Sequence, residues 1–234
     1  MGPRDLSFQP EWDELMERGI RLRETGDCPD LYTSVDILKM AAEKAPTLAD
    51  RMTAKNEEGL THFHMGNYTE AVDTWNLVYT TSKVQTPQLL YPMAAALRNL
   101  SRKELCENEK DFEEAVVKAN EAYDLAVMLD RRDLAWFAHG LFSAKLARMK
   151  LQKRYDGLIL KELVGVEKHY LFKFWKKATL TEIGVWFGAL LMDYAVVYNN
   201  VSRPLLKIAR FISRALMLRR REEQITRLLD EMSY

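Results

Sequence analysis

Apolar side chains recur along this chain at helical spacing, in paired stripes separated by short polar breaks. Trp12, Leu15, Met16, Gly19, Ile20 and Leu22 form the first stripe, which stops at Gly26-Asp27. Leu31, Val35, Leu38, Ala41 and Ala42 trace a second, and Pro46 ends it because proline has no amide to give a continuing helix. Steps of three and four place each set on one helix face, so residues 10–45 read as a helical hairpin. A second hairpin follows. Its leading helix starts at Pro46-Thr47 and carries Leu48, Met52, Gly59, Leu60 and Phe63, and its return helix carries Tyr68, Ala71, Val72, Trp75 and Val78. Gly66-Asn67 breaks the two apart, since both residues tolerate the left-handed conformation of a helix C-cap.

Later stripes are less regular. A leading helix near Gln88 to Leu105 holds Ala94, Ala95, Ala96 and Leu97, and a return helix follows from Lys110 through Ala115, Ala119 and Ala122. Beyond Asp130 longer helices are expected: one with Leu134, Trp136, Phe137, Gly140, Leu141 and Leu146, one over Gly157 to Lys177, and one from Thr179 to Asn199-Asn200. Thr179 and Glu182 have the spacing of a capping box. Ser202 and Pro204 open a last helix, since proline is well placed in a first helical turn, and it is expected to run to about Met232.

Gly19 and Gly26 are seven apart, as are Gly59 and Gly66, and the two pairs are offset by 40 residues. A mid-helix glycine costs about 1 kcal/mol against alanine, so a repeated one needs a packing reason, namely close approach of a neighbouring helix. Self-similarity at this period is the signature of a helical solenoid. Gly59, Gly66-Asn67-Tyr68, Glu70-Ala71-Val72 and Trp75 resemble the tetratricopeptide repeat. The first hairpin resembles it through Gly19, Gly26-Asp27, Ala41 and Pro46. The third does so through Lys110-Asp111-Phe112-Glu113-Glu114-Ala115-Val116, and a weaker copy surrounds Tyr155-Asp156-Gly157. The sequence departs from the pattern at His62, where an aromatic is usual, and at Lys83, where the repeat ends on proline.

The resemblance implies an all-α fold of nine or ten helices, stacked as antiparallel hairpins in a right-handed α-α superhelix. Residues 1–160 are expected to hold the repeats and 161–234 a C-terminal helical bundle or cap. It also implies a scaffold or adaptor that binds a protein or peptide in a concave groove. Asn56, Phe63, His64 and Arg98 are the expected partner contacts on the leading helices. A clamp for a terminal carboxylate is not expected, because Met16 and Ile20 stand where it would need polar side chains.

Composition narrows the setting. Hydrophobic residues make up 47% and charged residues 29% of 234, the balance of a folded globular chain. No run of eighteen apolar residues suggests a membrane span, and the nearest candidate, Ile183 to Val197, contains Asp193 and reads as a core helix. Cys28 and Cys106 lack metal-type spacing, which points to a reducing cytoplasm.

The net charge of zero hides a polarity. Residues 1–130 hold 14 Lys+Arg against 24 Asp+Glu (−10), and residues 131–234 hold 20 against 10 (+10). Homo-oligomers pairing acidic with basic halves are one expectation, and an unevenly solvated surface is the other. The last helix concentrates the positive charge, with Arg203, Lys207, Arg210, Arg214, Arg219, Arg220 and Arg221 preceding the first acid, Glu222. Leu206, Ile208, Phe211, Ile212, Ala215 and Leu216 give it an apolar side. Such a helix binds nucleic acid or another anionic surface, or else seals the end of the stack. Arg210, Arg214, Arg219 and Arg220 are its candidate contacts.

Catalytic chemistry is harder to find. His62 and His64 point about 200° apart on a helix and do not converge on one metal. Arg132 and His139, seven apart, share a face and form the pair that a helical ribonuclease would use. Trp136, Trp175 and Trp186 read as core rather than as a base-stacking platform. No phosphate loop and no HExxH motif occurs. The expectation is therefore a binding protein without cofactor, metal or enzymatic activity.

Overall fold

The computed structural model describes residues 10–83, 87–131, 133–174, 180–198 and 202–231, with some side chains at helix ends excepted. All regular structure among them is helical, and none of the helices is long and apolar enough to cross a membrane. The chain divides into two compact units, residues 1–93 and 94–234.

The first unit holds α1 (Pro10–Thr25), α2 (Cys28–Glu43), α3 (Leu48–Met65) and α4 (Tyr68–Ser82), each packed on the next in sequence. Met16, Leu38, Ala41, Ala42 and Ala54 form its core, flanked by Trp12, Leu15 and Ile20. The repeated glycines are contact points. A Cβ on Gly19 would lie 2.8 Å from Leu38, and one on Gly59 would lie 2.6 Å from the Trp75 indole nitrogen. Polar groups tie the same helices together. The Ser34 hydroxyl donates to the Gly19 carbonyl at 2.8 Å, and the buried Arg23 guanidinium of α1 pairs with Glu57 of α3 at 2.5 Å. Burial opposes the charge on Arg23, but Glu57 and Glu24 outweigh it and raise the pKa.

The two repeated elbows differ. Gly66 is left-handed, with φ 82°, and closes α3 as a Schellman turn: its N–H donates to Phe63 and that of Asn67 to His62. Gly26 is not left-handed. It is needed because a Cβ there would lie 2.3 Å from both Asp30 and the Leu22 carbonyl.

α5 (Leu90–Leu100) follows a 3-10 turn at Pro87–Leu89, and a further 3-10 turn spans Lys103–Leu105. The leading helix expected to reach Leu105 thus stops five residues earlier. The second unit continues with α6 (Glu109–Met128), α7 (Leu134–Gln152), α8 (Gly157–Phe174), α9 (Leu180–Val197), α10 (Ser202–Ala215) and α11 (Arg219–Glu231). Asn108 and Asp111 cap α6 reciprocally. Val116, Ala119, Leu141, Phe142, Leu160, Val164 and Leu190 form the core of α6–α9. Leu191, Ala195, Leu206, Ala209, Ile225 and Leu229 bind α9, α10 and α11 together. The proposed cap at Thr179 lies outside the described residues.

The single last helix is a misreading of the sequence. The chain turns back at Met217, whose φ of 54° is left-handed, so eleven α-helices are described rather than nine or ten. Met217 N–H donates to Arg214 and Leu218 N–H to Ser213, the same closure that Gly66 makes. Turning there lets Ile225 and Leu229 of α11 fold onto α9 and α10, which an unbroken helix would have carried away into water.

Candidate functional site

The groove candidates sit on α3. Asn56 is 5% exposed, and its backbone carbonyl accepts the Trp75 indole N–H at 3.2 Å. Phe63 and His64 are half-buried at the C-terminal end of the helix. The Phe63 ring lies 5.2 Å from Tyr68, 5.9 Å from Trp75 and 6.2 Å from His64. Glycine at 59 makes this cluster possible by bringing α4 close enough for Trp75 to reach α3. Burial lowers the pKa of the neighbouring His62, which favours its neutral form.

Arg98 stands in a different setting. It is 6% exposed, stacks 3.7 Å above the Trp136 ring, and donates through Nε to the Trp136 carbonyl at 2.9 Å. Its Nη1 donates to the Asn99 side chain at 3.2 Å. The stem runs across Gly140, where a Cβ would come within 2.9 Å of it. Arginine in this position joins α5 to α7.

That junction borders a buried polar cluster, since Arg98 acts electrostatically on Glu167. His139 of α7 shares a hydrogen bond of 2.6 Å, from Nδ1, with Asp193 of α9. Glu167 of α8 is 2% exposed. Burial, the charge of Asp193 and a hydrogen bond with Asp193 hold its pKa well above the ordinary 4.5, while Arg98 pulls the other way. Two buried carboxyl groups and a partly buried imidazole in one place can share protons or hold a cation. The sequence pairs His139 with Arg132, which lies outside the described residues. The structure gives it Asp193 instead, 54 residues away. The one available signal was Asp193 itself, a lone acid in an otherwise apolar helix.

The basic C-terminal region is split between two helices. On α10, Leu206, Ala209 and Ser213 are buried, Arg210 is half-buried, and Arg203, Lys207 and Arg214 are exposed. Arg214 is bonded to Glu222 of α11 at 2.6 and 2.9 Å. The side chains of Arg219, Arg220 and Arg221 lie outside the described residues. Ile208 and Phe211, expected on the packed side, are 50% and 74% exposed and share a face with Lys207 and Arg214.

No family model matches the chain, and no curated protein does. Among solved structures it is similar to a putative kinesin light chain of Podosopora anserina with nearly identical TPR-like repeats, and to a single-substitution variant of that protein. Identity is 15% in both, the matches cover 88% of this chain and 94% of the other, and the TM-scores are 0.43 and 0.45. Among the described residues the regular structure is all-α, with successive helices packed on one another.

Proposed function

We propose that the protein is a helical-repeat scaffold that binds protein or peptide partners. The observation that carries this reading is the exposed face of α10. That helix already packs Leu206 and Ala209 against α9 and α11, yet it also presents Ile208 and Phe211 to water between Lys207 and Arg214. Core packing accounts for the first pair and not for the second. Apolar anchors flanked by Lys207 and by Arg214, which Glu222 holds in place, suit an acidic, amphipathic protein segment, with burial of the anchors supplying affinity and the charges selecting the partner. On α3, Phe63 and His64 are a second contact region in the same reading, as the hairpin resemblance implies.

Affinity capture followed by cross-linking tests it, with wild type compared against Ile208→Glu/Phe211→Glu and Phe63→Ala/His64→Ala. Loss of acidic protein partners in the first variant is expected, together with weakening at high salt. A partner set unchanged by both variants would refute the reading. Capture abolished by nuclease treatment would replace it with nucleic-acid binding through the same cations.

A further inference from the structure

Three helices of the second unit each send one potential metal ligand to a common point. His139 from α7, Glu167 from α8 and Asp193 from α9 offer one donor atom each, and these atoms all lie within 4.8 Å of one another. Glu167 and Asp193 are 2% and 5% exposed, and the same three helices supply the apolar core around Leu141, Val164 and Leu190. This is not an accident of helix periodicity, since 28 and 26 residues separate the three positions.

A second observation points to something missing from the cluster. Glu167 Oε1 is buried without a hydrogen-bond partner. A buried oxygen left in that state costs about 1–3 kcal/mol, and such atoms are rare enough in folded proteins to need a reason. A cation held between Glu167, Asp193 and His139 would satisfy that oxygen.

We propose that His139, Glu167 and Asp193 bind one divalent metal ion of the zinc class. Imidazole nitrogen with carboxylate oxygen is a donor set that suits zinc, and three protein ligands leave one position of a tetrahedral ion for water or a ligand group. The charges are compatible. With both carboxylates ionised and the imidazole neutral the three ligands carry −2, and Arg98 brings the neighbourhood to −1. Arg98 also favours the ionised form of Glu167 that a metal requires. Its guanidinium is occupied by the Trp136 ring, the Trp136 carbonyl and Asn99, which keeps it as a neighbour of the site. Zinc bonds of about 2.0–2.2 Å hold tetrahedral donors about 3.3–3.6 Å apart, between the 2.6 Å of the His139–Asp193 hydrogen bond and the 4.8 Å that bounds the cluster. On binding, the ion displaces the proton shared by His139 Nδ1 and Asp193, together with any proton on Glu167, and these leave to solvent.

The test uses the purified full chain, stripped with a chelator and titrated with zinc chloride against a chromophoric competitor. Wild type and the His62→Ala/His64→Ala variant are expected to bind one zinc per chain. Glu167→Gln and Asp193→Asn are each expected to bind at least about tenfold more weakly. Glu167→Gln is the neutral isostere of the protonated acid, so the metal-free variant keeps its fold by circular dichroism. X-ray absorption of zinc-loaded wild type should show nitrogen and oxygen neighbours only. Absence of stoichiometric zinc in wild type would overturn the proposal. So would equal affinity in Glu167→Gln, loss of binding in the His62/His64 variant, or a sulfur shell from Cys28 or Cys106.

Discussion

Gly59 and Gly165 are both glycines inside α-helices, and the structure assigns opposite signs to their replacement by alanine. At Gly165 on α8 a Cβ meets nothing within 4 Å. The substitution should therefore gain the full helix-propensity difference, about 1 kcal/mol. At Gly59 the same gain is set against a collision, because the new Cβ would lie 2.6 Å from Nε1 and 2.9 Å from Cδ1 of Trp75. Trp75 is completely buried, so it has no open side to retreat to. Overpacking of this kind costs about 1–3 kcal/mol. Displacing the indole also breaks its bond to the Asn56 carbonyl, worth about 0.5–1.5 kcal/mol. The net expectation for Gly59→Ala is a loss of about 1–3 kcal/mol. Hydrogen exchange by mass spectrometry is the suitable assay, since it reads α3–α4 and α8 separately in a chain of two compact units. Exchange in α3–α4 should quicken by about 5- to 150-fold for Gly59→Ala, at 1.4 kcal/mol per tenfold. Exchange in α8 should slow for Gly165→Ala. Slower exchange in both would mean that Trp75 does not pack on Gly59, and the reading of the repeated glycine as a helix contact would fall.

Met217→Gly should stabilise the α10–α11 turn by about 0.5–1 kcal/mol, because a left-handed φ penalises any side chain and Met217 is 75% exposed; a lower thermal midpoint would contradict this. Glu57→Gln removes the main partner of Arg23, which is 4% exposed. The loss should be about 1–3 kcal/mol, below the full cost for a buried pair, since Glu57 is partly exposed and Glu24 remains 3.1 Å away. In chelator-treated protein the raised pKa of Glu167 makes the folded state bind the proton more tightly than the unfolded state does. Stability should then fall as pH rises from about 4.5 through the raised value, and Glu167→Gln should flatten that slope; identical slopes in urea titrations across this range would refute the assignment.

Much of the first unit was legible because its backbone demands fall on residues with few alternative uses. Pro46 stops α2, Gly66 supplies a left-handed turn, and Gly19 and Gly59 mark close helix contacts. In the second unit the same turn is made by residues that give no such signal. Asp130, Lys153 and Met217 all have left-handed φ, between 45° and 54°. Each closes with a pair of backbone bonds back into its helix, as at Arg154 to Met149 and Leu218 to Ser213. A methionine in a run of Leu216-Met217-Leu218 reads as helix by propensity and by apolar pattern. Tertiary burial of Leu218, Ile225 and Leu229 decides otherwise, since about 1 kcal/mol of backbone strain is small beside burying three large apolar side chains at about 1.5–3 kcal/mol each.

The site was less legible for a related reason. Helical periodicity reports which residues share a face of one helix, whereas His139, Glu167 and Asp193 come from three helices. Only the cost of burial could have exposed them. Asp193 stands between Leu191 and Ala195, both of which pack in the core that seats α10. A carboxylate there loses its hydration without an interior partner from its own helix, so partners had to be sought on neighbouring helices. The same position links the two features of the second unit. α9 turns Asp193 toward His139 and Glu167, while Leu191 and Ala195 hold Leu206 and Ala209 of α10. Asp193 therefore lies on the same helix that seats α10, the helix on which Ile208 and Phe211 are exposed.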